Sequence, residues 1–162
     1  MKLFVKRDLS APDAGFTVFD ENGNPKYYAV FKNTRSSVKL RITDTDKNIV
    51  AKIHRMAIPA IFAFSMTACN KSARLMINPS KDIMQCYYYG LNWHINGDII
   101  SKNFSIIDVD NTCIATHKTS FCGKSDCFEL EIFNNSNELF CVTTSICINL
   151  LNTVDNLVTQ AV

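Results

Sequence analysis

No charged residue occurs between Leu139 and Val154, a run reading LFCVTTSICINLLNTV, and Asp155 is the first charge after it. An ordinary surface helix would place Lys and Glu on its outer face, so this run is excluded from that role. A membrane span is a poor fit as well. Sixteen residues rise roughly 24 Å, a span needs about 20 predominantly apolar residues, and this run carries Thr143, Thr144, Ser145, Asn149 and Asn152. The amino end, MKLFVKRD, has no apolar stretch of signal-peptide length, so a cytoplasmic location is expected. Three histidines (His54, His94, His117) and seven cysteines show no Cys-x-x-Cys or His-x-x-x-His spacing. No local metal site is therefore expected, and no cofactor. Gly123-Lys124-Ser125 resembles the end of a phosphate-binding loop, but that loop needs a glycine where Lys118 stands. No linker or low-complexity segment divides the chain, which predicts one domain over 1–162 with a core of roughly 16–155.

What is present is an ordinary globular balance, 47% hydrophobic and 20% charged, in a chain long enough to bury a sizeable core. The net charge of +2 hides an asymmetry. Residues 1–81 hold 14 Lys and Arg against 6 Asp and Glu, and residues 82–162 hold 3 against 9. A compact barrel built from such halves has a basic side and an acidic side. The odd cysteine count and irregular spacing read as buried, reduced thiols. Cys122 and Cys127 flank a hairpin turn and form the one candidate redox pair.

Alternating segments recur. Phe16–Asp20 turns through Glu21–Pro25 and returns as Tyr27–Phe31. Leu40–Asp44 turns through Thr45–Asn48 and returns as Ile49–Ile53. Phe104–Asp108 turns through Val109–Asn111 and returns as Cys113–His117. Each is an apolar-x-apolar-x-Asp strand, a polar turn, and an apolar strand with a central alanine. The aspartate is suited to accept hydrogen bonds from the turn it opens. Phe62–Met66 with Ala73–Ile77 around a turn at Asn70–Ser72 is a weaker copy. Cys86–Tyr89 with Leu91–Ile95 across Gly90, closed by Asn96-Gly97-Asp98, is another. Phe128–Ile132 is the last alternating strand. A Pro12–Gly15 turn, Pro59 and Asn78-Pro79-Ser80 are breaks. Short strands at this spacing predict a mainly β fold, a barrel or sandwich.

The chargeless run is the expected helix. Ile146, Cys147, Leu150, Leu151, Val154, Leu157 and Val158 share one face, and Ser145, Asn149, Asn152 and Asn156 the other, with Cys141 and Ile148 intruding. Asn135 is the expected N-cap, with Glu138 reaching back to it. Asp155-Asn156 is the expected stop. A β-strand is the competing assignment, since Leu-Phe-Cys-Val-Thr-Thr is rich in β-forming types. A closed barrel of about a dozen strands leaves an interior too wide for side chains alone. The chargeless helix is the segment able to fill it.

The hairpins with their Asp-opened turns, the Trp93-x-Ile95-x-Gly97-Asp98 element, and the ending Asn135-x-x-Glu138 before an apolar helix closing at Asp155 resemble the LURP-one-related family. That family lies in the tubby-like superfamily, with phospholipid scramblases as relatives. The resemblance spans roughly Phe16 to Asp155. It implies a tubby-like closed antiparallel barrel of twelve strands enclosing a hydrophobic C-terminal helix. The chain departs from the family in the uncharged Asn134-Asn135-Ser136-Asn137 before the helix, and in a helix richer in Asn and Thr.

Nothing in the sequence singles out a catalytic constellation, and the chain is read as a non-enzyme. Glu129 and Glu131 share a strand face expected to be solvated. Asp20, Asp44 and Asp108 recur because the turn recurs. The basic residues are more informative. Alternation places Val38, Leu40 and Ile42 inward with Lys39, Arg41 and Thr43 outward, and Ala51 and Ile53 inward with Lys52 and His54 outward. Lys39, Arg41, Lys52 and Arg55, near Lys32 and Arg35, form the candidate site for anionic phospholipid headgroups such as phosphoinositides. The superfamily resemblance points to the same ligand class but assigns no residue. A peripheral, monomeric protein at a membrane surface is one expectation; a scaffold for a protein partner with no lipid ligand is the other. Nucleic acid is not expected, because the aromatics fall on core positions rather than among the basic ones.

Overall fold

The computed structural model describes residues 1–8, 15–34, 37–79, 84–122 and 125–158. Side chains are described for these except at 33–34, 37, 121–122, 125–126 and 152–158. Twelve strands run in chain order: β1 (Lys2–Arg7), β2 (Phe16–Phe19), β3 (Pro25–Thr34), β4 (Ser37–Asp44), β5 (Ile49–Ile58), β6 (Ile61–Ala68), β7 (Lys71–Pro79), β8 (Met84–Tyr89), β9 (Trp93–Asp98), β10 (Asn103–Asp108), β11 (Cys113–Cys122) and β12 (Ser125–Ile132). A 3-10 turn (Asn135–Asn137) leads into one long helix, α1 (Glu138–Val158).

All twelve strands form a single antiparallel sheet in the order β8-β7-β6-β5-β4-β3-β2-β1-β12-β11-β10-β9. The order is a meander joined across β1 and β12, where Leu3 lies opposite Leu130 and Val5 opposite Phe128. Sequence reading treats the amino end only as an extended start; it is the strand that joins the two halves of the barrel. Leu3, Val5, Phe16, Val18, Leu40, Ile42, Ile53, Phe64, Met66, Leu75, Ile106 and Leu130 all point into the core. Their period of two is what the alternating sequence requires.

Aspartates open the turns as expected. Asp20 accepts from the backbone N–H groups of Asn22 (2.9 Å) and Asn24 (2.8 Å), Asp44 from Asn48 (2.8 Å), and Asp108 from Asp110 (3.0 Å) and Thr112 (2.9 Å). Donation from Asn24 is the main reason that the Asp20 carboxyl titrates below its usual range. Two turns fall elsewhere than the sequence suggests. The β6–β7 turn is at Cys69-Asn70, both with positive φ. Asn96-Gly97-Asp98 belongs to β9, and the turn follows it, where Asp98 accepts from Ile100 and Ser101. Residues 12–14 of the expected Pro12–Gly15 turn and the Ser80 end of the second break lie outside the described residues.

The expected hairpin of Cys86–Tyr89 with Leu91–Ile95 does not form. β8 and β9 are the two ends of the sheet and share no ladder, so the barrel is nearly closed rather than sealed. Two glycines mark the far sides of these strands. Gly90 (φ +86) lies so close to β7 that an added Cβ would stand 2.7 Å from the Ser72 carbonyl oxygen. Gly97 (φ +118) lies equally close to β10, with the Asn103 oxygen 2.7 Å from such a Cβ. Each lies against the outer neighbour of its strand. Aromatic rings fill the seam from within: Tyr88 meets Trp93 edge-on at 5.9 Å, and Trp93 meets Phe140 of α1 at 6.3 Å.

α1 occupies the barrel interior. Every residue from Phe140 to Leu151 is buried, the polar Thr143, Thr144, Ser145 and Asn149 included. The two faces expected from the sequence are thus both enclosed. Outer positions Asn152, Val154, Asn156, Leu157 and Val158 have side chains outside the described set. Polar side chains inside are largely paired, as burial demands, while the Asn149 Oδ1 has no partner among the described residues. Thr143 donates to the Phe140 carbonyl (2.9 Å), Tyr88 donates to Thr144 (3.0 Å), and Asn149 donates to the Ser145 carbonyl (2.9 Å). The entry to the helix differs by one residue from the expected cap. Asn134, not Asn135, is the cap, its side chain accepting from the Ser136 N–H at 3.0 Å. Glu138 does not reach back; it accepts from the Tyr27 hydroxyl at 3.0 Å and pairs with Lys26 at 2.6 Å. The helix also runs past Asp155-Asn156 to Val158.

The cysteine reading needs one correction. Cys69, Cys86, Cys113, Cys141 and Cys147 are free thiols, but Cys127 is disulfide-bonded, so the seven are not all reduced. The side chain of Cys122 lies outside the described set.

Candidate functional site

β4 and β5 carry the basic residues on the outer surface, and the ladders place them. Lys39 lies opposite Lys32 on β3 and opposite His54 on β5. The same row continues through Ser65 to Arg74 and Tyr89. One row over, Arg41 lies opposite Val30 and Lys52, and Lys52 lies opposite Thr67. Side chains directly across a ladder stand about 5 Å apart at Cβ. The two rows therefore gather Lys32, Lys39, Arg41, Lys52, His54 and Arg74 on one face, all exposed.

Two features separate this face from an ordinary solvated exterior. No Asp or Glu occurs from Lys47 to Lys81, so β5, β6 and β7 contribute no carboxylate. Among the described residues the salt bridges are Lys2 with Glu129 (3.2 Å), Lys118 with Glu129 (3.2 Å) and Lys26 with Glu138 (2.6 Å). None involves the six residues of the basic rows. Glu129, on the outer face as expected, is the shared partner of two lysines on the β12 side. The acidic residues of the second half sit largely on β9–β12 and their turns, across the barrel from the basic rows.

Three of the four sequence-selected residues, Lys39, Arg41 and Lys52, are brought together. Arg55 is not. It follows Ala51 and Ile53 on the inward-facing series of β5, is half-buried, and holds its guanidinium 5.6 Å from the centre of the Phe62 ring. A one-residue difference in strand phase turns a side chain to the other face. Arg35 lies outside the described residues. Sequence reading missed Arg74 as a member of the cluster. The signal was available: in a meander the ladder can be carried from β5 through β6 to β7, and Arg74 keeps the outward phase.

Below Lys52, at the mouth of the barrel, lies an open groove of about 400 Å³ lined by Ile49, Val50, Ala51, Lys52, Thr67, Ala68, Cys69, Asn70 and Leu139. A second hollow of about 350 Å³, lined by Phe4, Lys6, Phe19, Asp20, Glu21, Gly23 and Cys127, lies away from the basic rows.

Two of the free thiols, Cys141 and Cys147, and one of the histidines, His117, are buried. Burial pushes the Cys86 and Cys141 thiols up to about 12, the opposite of an activated thiolate. His117 is enclosed between the rings of Phe104 (4.5 Å) and Phe128 (5.4 Å). Among the described residues no group of three His, Cys, Asp or Glu converges to hold a metal ion, and no helix is long and apolar enough to cross a membrane.

Twelve antiparallel strands wrapped around a buried C-terminal helix define the class: a tubby-like barrel. A sequence model of the LURP-one-related family matches residues 1–149, and the chain belongs to that family. It is 19% identical over 156 residues to the uncharacterised protein YxjI of Bacillus subtilis, covering 93% of each chain. In three dimensions it is similar to the X-ray structure of a protein from Arabidopsis thaliana, with a TM-score of 0.64 at 10% identity, over 93% of this chain and 91% of that one.

Proposed function

We propose that this protein is a non-catalytic module that docks peripherally on anionic phospholipid headgroups, phosphoinositides included, through the outer face of β3–β7. The observation that carries this reading is the pair of cross-strand rows holding Lys32, Lys39, Arg41, Lys52, His54 and Arg74 with neither a carboxylate nor an ion pair among them. A surface that leaves its cations unpaired retains their attraction for phosphate oxygens. Near an anionic membrane each Lys or Arg contributes about 1 kcal/mol, and the contribution fades within a Debye length. The acidic far side of the barrel orients the molecule, since only one face can approach such a surface.

Vesicle co-sedimentation tests it. Retention on phosphatidylcholine vesicles rises as phosphatidylserine is added and falls as NaCl is raised. Replacing Lys39, Arg41 and Lys52 together by Gln weakens binding by about 3 kcal/mol, roughly a hundredfold. Arg55→Gln, on the other face, leaves it unchanged. Equal retention on neutral and anionic vesicles overturns the reading.

A second reading, a scaffold for a protein partner without a lipid ligand, draws on the next outward row of Met56, Ala63, Met76 and Tyr87. Ala63 is wholly buried there although it points outward, and Tyr87 is 49% exposed. Methionine and tyrosine suit adaptable contacts. Absence of vesicle retention at low salt favours this alternative.

A further inference from the structure

The groove at the barrel mouth shares Lys52 with the basic rows but differs from them in its walls. Ile49, 48% exposed, and the half-buried Val50 and Leu139 supply apolar surface left open among the described residues. Ala51 and Ala68 form a small-residue floor. Lys52 provides an ammonium group with no ion-pair partner among the described residues, and Arg41 stands opposite it on the ladder. No lining residue is acidic. The nearest helix carboxylate, Glu138, is already taken up by Lys26 and Tyr27. The volume falls within the range of small-molecule sites, about 300–1,000 Å³.

We propose that this groove receives the apolar body of a phospholipid-like amphipathic anion, whose phosphate sits on Lys52 and Arg41. The proposal rests on the headgroup reading and specifies its ligand: a lipid engaged by its apolar part as well as by its charge. A purely ionic surface would hold a headgroup without regard to what is attached to it. The groove gives the attached chain a place out of water next to the charge, so binding depends on both ends of one molecule. Hydrophobic and ionic contributions then differ in how they respond to salt: the apolar part persists when the ionic part is screened.

The test is a titration of the protein with decyl phosphate below its micelle concentration, beside decanoate and inorganic phosphate. Decyl phosphate is expected to bind at least tenfold more tightly than inorganic phosphate. Decyl phosphate is expected to bind more tightly than decanoate, and the reverse order overturns the phospholipid assignment in favour of a fatty acid. Thr67→Trp, at an exposed position on the groove wall, is expected to remove the tenfold advantage, and Ile49→Asp, which puts a carboxylate in the wall, to do the same should the tryptophan disturb folding. Lys52→Gln weakens both phosphates. Equal affinity for decyl and inorganic phosphate, or folded wall variants that bind as the parent does, overturns the proposal. Retention on anionic vesicles without decyl phosphate binding removes the groove and leaves the headgroup face standing. Binding of decyl phosphate without vesicle retention removes the face reading instead.

Discussion

His117 is 2% exposed, and its hydrogen bonds define its tautomer. Nδ1 lies 2.7 Å from the Lys102 carbonyl oxygen, which can only accept, so Nδ1 carries the proton. Nε2 is then an acceptor and receives the Asn149 side-chain N–H at 3.3 Å. Burial is the main cause that lowers the imidazole from 6.5 to about 4, with the nearby Lys102 charge opposing protonation further. A folded value below the unfolded one means that protons favour the unfolded chain. Stability from this group is complete above pH 6.5 and is lost as the pH falls towards 4, a loss of about 3 kcal/mol. Urea unfolding between pH 7.5 and 4 should show it. His117→Phe, which keeps a ring between Phe104 and Phe128, should flatten that part of the profile while lowering stability at neutral pH through the orphaned Lys102 and Asn149 groups. An unchanged slope in the variant would assign the acid sensitivity elsewhere.

At the scale of elements, α1 is a core made of one segment, and its sequence carries the signature openly. Sixteen residues without charge, polar only through small side chains, cannot face water or lipid and so must be surrounded by protein. Enclosure follows from the missing charge alone; helix over strand does not, because Leu-Phe-Cys-Val-Thr-Thr suits either. The cap is not legible either, because Asn134 and Asn135 are chemically identical and only the 3-10 turn decides which one accepts from Ser136. Leu150 is 3% exposed within the barrel. Leu150→Ala should cost about 3 kcal/mol through lost burial and the cavity left behind, read as a shift of the urea midpoint. Leu150→Asp places an unpaired carboxylate in the same position and should leave no soluble folded protein. A normally melting aspartate variant would mean that the helix is not enclosed. The basic face was equally legible, since alternation alone sets Lys39, Arg41 and Lys52 outward. Arg55 fails by the same alternation applied one residue further, where it stays in phase with Ile53 and sits over Phe62 instead of joining the cluster.

For the molecule as a whole, closure is the property that sequence patterning conveys least. Hydrophobic alternation says which face of a strand is buried and nothing about which edge is paired. Cys86–Tyr89 and Leu91–Ile95 look like one more hairpin for that reason. They stand apart in the sheet order, with Gly90 and Gly97 each pressed against the neighbour on its far side. The amino strand, unremarkable in sequence, makes the junction that the β8–β9 hairpin does not, through five opposed residue pairs from Lys2–Glu131 to Lys6–Cys127. The consequence is a barrel with one weak line. Amides of β8 and β9 whose N–H groups face the seam have no ladder partner among the described residues and depend on the Tyr88, Trp93 and Phe140 rings to keep water out. In native-state hydrogen exchange, alternate amides along β8 and β9 should exchange early, while those of β4, paired on both sides by β3 and β5, should exchange only with global unfolding. Trp93→Ala should widen the difference by removing the ring that bridges strand and helix. Uniform protection across β8, β9 and β4 would mean that the seam closes in solution, and with it the break between β8 and β9 in the wall around α1.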